Sequence, residues 1–61
     1  MANLTSKELT AIEDQLNVEQ NLVKKFTMFS QSCSDPQLKT KCEQIASRHQ
    51  GHYTRLLGHL S

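Results

Sequence analysis

A chain of 61 residues is one small domain, too short to bury a large core without help from disulfides, a metal or association. Its net charge of +1, from 7 Lys+Arg against 6 Asp+Glu, gives no strong reason to expect nucleic acid or an anionic membrane as partner. Two cysteines exclude a dense disulfide framework, and no apolar run approaches the ~20 residues that a membrane span needs.

The opening MANLTSKELT has no apolar signal core, so the expectation is an intracellular, cytoplasmic chain with reduced thiols. Thr5-Ser6-Lys7-Glu8 fits a capping box: the Thr5 hydroxyl can accept from the Glu8 amide while Glu8 reaches back. Leu4 and Leu9 sit where a hydrophobic staple would place them. The first helix is therefore expected over about residues 6–32, a stretch without Pro or Gly. Leu9, Ile12, Leu16, Val23 and Phe26 follow a 3,4 spacing, flanked by Leu22 and Phe29. Ala11, Val18 and Met28 widen this stripe to roughly half the circumference, enough to face two neighbours.

The SCSDPQL stretch is the one break. Asp35 suits an N-cap and Pro36 the first helical position, where its missing N–H costs nothing. A second helix is expected over about residues 36–60. Its apolar ladder is Leu38, Cys42, Ile45, Leu56 and Leu60, with Ala46, Tyr53 and Leu57 to one side. Gly51 and Gly58 weaken the helix by ~1 kcal/mol each relative to Ala, and Gly51 would admit a close neighbouring helix. So short a link between two long helices predicts an all-α, antiparallel two-helix hairpin over residues 1–61. One hairpin buries only one side of each helix, so two copies are expected to dimerise into a four-helix bundle.

Antiparallel pairing about Ser34 matches residues whose numbers add to about 68. Phe26 then lies near Cys42, Val23 near Ile45 and Ile12 near Leu56, all apolar layers. One layer differs: Glu19 falls opposite His49, each at the centre of its stripe, and the next layer sets Leu16 against His52. A carboxylate among Leu, Val and Phe is costly unless it is paired. The economical expectation is a buried Glu19–His49 pair that fixes register, with no cofactor. The alternative is a divalent metal, Zn or Fe, held by Glu19, His49 and His52, since facing helices of bundles build such sites. A full di-iron centre is disfavoured, because the Glu-x-x-His pattern is broken by Ala46 three residues before His49.

The remaining polar residues carry less. His59, near the C-terminus, is expected to interact with the helix end and solvent. Cys42 reads as a small core residue, whereas Cys33 falls in the turn, exposed and too distant from Cys42 for an unstrained disulfide. Lys24, Lys25, Lys39 and Lys41 cluster toward the turn, diluted by Asp35 and Glu43. They read as a solvated face, and a nucleic-acid-binding hairpin is the third-ranked function because aromatic interleaving is lacking. No nucleophile sits in a base–orienter arrangement and no Gly-rich phosphate loop exists, so catalytic residues and enzyme activity are not expected.

IEDQLNVEQNLVKKF followed by CSDPQLKTKCEQIASRHQGHYTRLLGHL resembles the Coat F family of spore coat proteins from spore-forming Firmicutes. The resemblance spans about Leu4 to Leu60 and rests on Glu19-Gln20, the SDPQLK turn and the HQGHY segment before the leucines. It implies a ferritin-like helical fold, sporulation in a mother cell, localisation to the spore coat and other coat proteins as partners. It also implies that Glu19 and His49 derive from, or take part in, a metal site. The expected function is thus a small structural assembly protein, with a ferritin-like metal-binding protein as the alternative.

Overall fold

The computed structural model describes residues 4–60, so the ends of the expected 1–61 domain, residues 1–3 and 61, lie outside the described residues. Two helices follow one another: α1, Ser6–Ser32, and α2, Pro36–Gly58. They pack along their length as an antiparallel hairpin, 46 × 15 × 11 Å overall.

Both helix starts are set by side chains satisfying orphan amides. Thr5 is extended (φ −72°, ψ 163°); its Oγ1 accepts from the Glu8 N–H at 3.1 Å, and its own N–H donates to Glu8 Oε1 at 3.0 Å. Asp35 caps α2 by accepting from the Gln37 and Leu38 amides at 2.9 and 3.2 Å, with Pro36 immediately inside. Between the helices, Cys33 turns to extended backbone (φ −87°, ψ 128°) and ends α1. Ser32 Oγ donates back to the Met28 and Phe29 carbonyls, satisfying acceptors that the helix end would leave open.

The second helix is shorter than its expected 36–60. It stops at Gly58, and the His59 and Leu60 amides donate to Leu56 and Leu57 three residues back, at 3.0 Å each. Glycine's low helix propensity near a free end lets the last turn tighten this way. At Gly51 a Cβ would meet nothing within 4 Å, so α1 is not the helix that approaches it. Cys33, expected exposed, is half-buried, and its Sγ donates to the Asp35 carbonyl at 3.6 Å. Both cysteines are free, and Cys42 is buried as a small core residue.

Two stripes run side by side along α1. Ile12, Leu16, Glu19, Val23, Phe26 and Ser30 are buried or half-buried. One residue earlier at every step lie Ala11, Gln15, Val18, Leu22, Lys25 and Phe29, of which only Leu22 is half-buried and the rest are exposed. The 4,3,4,3,4 spacing of each makes both continuous helical seams. Only the first seam is covered by α2. Among the described residues, Cys42 and Ala46 are the buried apolar residues, and no large side chain is fully buried. The accessible surface is 4786 Å², against about 4,000 Å² for a compact monomer of this mass.

Candidate functional site

Glu19 stands halfway along α1 on the covered seam, between Leu16 and Val23, and is 6% exposed. A carboxylate there is tolerable only with polar partners. It has three. His49 Nδ1 lies 2.6 Å from Glu19 Oε1, His52 Nδ1 lies 3.6 Å from Oε2, and the Gln15 amide Nε2 donates to Oε2 at 3.2 Å. Among the described residues, no buried side-chain polar atom lacks a hydrogen-bond partner.

The hairpin positions these groups without local strain: no peptide bond is cis and no residue has positive φ. His49 and His52, three residues apart on α2, share a face by helical periodicity. Their rings meet edge to face, centroids 5.3 Å apart. Phe26 stacks on His49 from α1, centroids 6.5 Å apart and planes 16° apart, and Phe29 meets Phe26 edge-on at 5.8 Å. An aromatic wall thus backs one side of the imidazole pair.

The hydrogen bond from His49 holds the Glu19 carboxyl below its ordinary 4.5, against the opposing effect of burial; Gln15 and the charges of both imidazoles add to the lowering. The 2.6 Å contact is short for a hydrogen bond between nitrogen and oxygen, as bonds to an ionised carboxylate are.

The structure brings together all three sequence-derived site residues. Glu19, His49 and His52 each offer a ligand atom, and these atoms lie within 4.8 Å of one another. His52, expected opposite Leu16, instead reaches Glu19. Side chains on a helix lean toward its N-terminus, which carries the His52 ring along α2 toward His49. His59 is not part of the cluster: it caps α2 and is exposed. Two members escaped the sequence reading. Gln15 was legible as the residue four before Glu19, within side-chain reach on one helix. Spacing marks Phe26 as a core residue, and its stacking on His49 depends on side-chain directions that spacing does not encode.

No family model matches the chain, and no solved structure matches it. The Coat F resemblance therefore has no support beyond the residues that carry it. The chain is similar to the uncharacterized protein YuzM of Bacillus subtilis (strain 168), at 32% identity over 57 residues, covering 93% of this chain and 70% of YuzM. No helix is long and apolar enough to cross a membrane among the described residues. With that identity held over most of both lengths, the chain belongs to the same family as YuzM.

Proposed function

We propose that the chain is a small structural assembly protein that acts by self-association, two hairpins pairing into a four-helix bundle. The observation that carries this reading is the uncovered second seam of α1. Val18 and Phe29 are each 47% exposed, Leu22 bridges toward the core, and Ala11 permits close approach. A monomer with this surface leaves a mainly apolar stripe in water. The occupant it fits is a second copy of the chain. The chain exposes about 800 Å² more than a compact monomer of its mass, surface that pairing with another hairpin would reduce. A second copy also presents the same stripe, so a two-fold arrangement buries both at once. Gln15 and Lys25 interrupt the stripe at intervals and set register, as polar seam positions do in bundles. The Coat F resemblance extends the reading to a spore coat, with other coat proteins as further partners.

Sedimentation equilibrium tests self-association. At micromolar concentration the expected species has twice the 6.9 kDa chain mass and is helical. A species of single-chain mass that keeps its helix content and unfolds cooperatively contradicts the proposal.

A further inference from the structure

We propose that Glu19, His49 and His52 form a binding site for one divalent transition-metal ion of the zinc class, with the fourth position left to water. The ion pair alone explains Glu19 and His49. It does not explain His52, whose Nδ1 is also turned to the carboxylate, 3.6 Å from its second oxygen. Two imidazoles converging on one carboxylate is a three-ligand donor set that suits zinc. The same set is poor for calcium or magnesium, which take six or more oxygens or keep most of their water. No lysine or arginine pairs with Glu19 among the described residues; its partners across the hairpin are the two imidazoles, which as neutral rings are metal ligands.

The geometry is close to a metal site rather than already one. With bonds near 2.0–2.1 Å, tetrahedral ligands sit about 3.3 Å apart. The 2.6 Å contact must widen to admit an ion, while the three ligand atoms already lie within 4.8 Å of one another. Surrounding groups support the ligands as outer partners do in metal sites: Gln15 orients the carboxylate and Phe26 fixes the His49 ring plane. All three ligands come from one hairpin, so no residue of a partner copy enters the site.

The test uses the full chain without an affinity tag, stripped by chelator and titrated with zinc by calorimetry and with cobalt by visible absorption. The expected result is one zinc per chain and the cobalt absorption of a four-coordinate site. His52 is 42% exposed at its side chain, so His52→Ala should keep the fold. It should weaken zinc binding about a hundredfold or more. Glu19→Gln should do the same, while His59→Ala and the Cys33→Ser/Cys42→Ser double variant should bind as the parent does. Failure of the parent chain to take up zinc at 100-fold excess overturns the site. So does zinc affinity unchanged in His52→Ala, or lost in the cysteine or His59 variants.

Discussion

Val18→Lys should weaken self-association about a hundredfold or more, roughly 3 kcal/mol. Val18 lies at the middle of the uncovered stripe and makes the substitution informative in both directions. In an isolated hairpin the change would be neutral or favourable. Lysine is a better helix former than valine, and Asp14, four residues earlier and exposed, would pair with it. In a dimer the new ammonium is buried against the same position of the partner, and desolvation plus like-charge repulsion oppose pairing. Because so little is buried within one hairpin, helix content should fall with the dimer. Asn17→Lys, on the exposed opposite side of α1, is the control and should leave both mass and helicity unchanged. Sedimentation and circular dichroism at matched concentration read the two effects.

His49→Ala should lower the melting temperature by about 10 °C or more. The substitution leaves the Glu19 carboxylate in an apolar seam with Gln15 and the more distant His52 as remaining partners. It also removes the ring on which Phe26 stacks. The double variant Glu19→Leu/His49→Leu should recover the loss, since an apolar pair of similar volume has no charge to desolvate. That non-additivity separates a true pair from two unrelated core positions. Acid should have a related effect. The Glu19 carboxyl is held below its ordinary 4.5 in the folded chain, so its contribution is fully present above that value. It is lost as pH falls from about 4.5 through the lower folded value, and the double variant should lack this component. Urea denaturation across pH 3–7 checks both.

Much of this is legible in the sequence alone. Thr5 with Glu8 and Asp35 with Pro36 mark helix starts because capping chemistry is local, written in residues three apart. The Glu19–His49 pairing follows from symmetry about the short turn, since a hairpin with so tight a link has little freedom of register. The end of α2 falls within two residues of the expected one, at a glycine whose low helix propensity marks where the last turn frays. The grouping of His52 with Glu19 and His49 was legible as the metal alternative, whereas layer pairing alone sets His52 against Leu16, because the contact depends on the direction of a side chain as well as on its place along the helix. The width of the apolar face on α1 was visible as a whole. Its division into a covered and an uncovered seam, offset by one residue, required knowing where α2 lies.

The most direct measurement of the hairpin pairing is an isotope-filtered NOE spectrum of a dimer mixed from labelled and unlabelled chains. Intermolecular contacts should appear for the Val18 and Leu22 methyl groups and the Phe29 ring, and be absent for Ile12. Contacts between chains confined to α2, or none at all in a folded sample, would contradict self-association through the uncovered seam of α1.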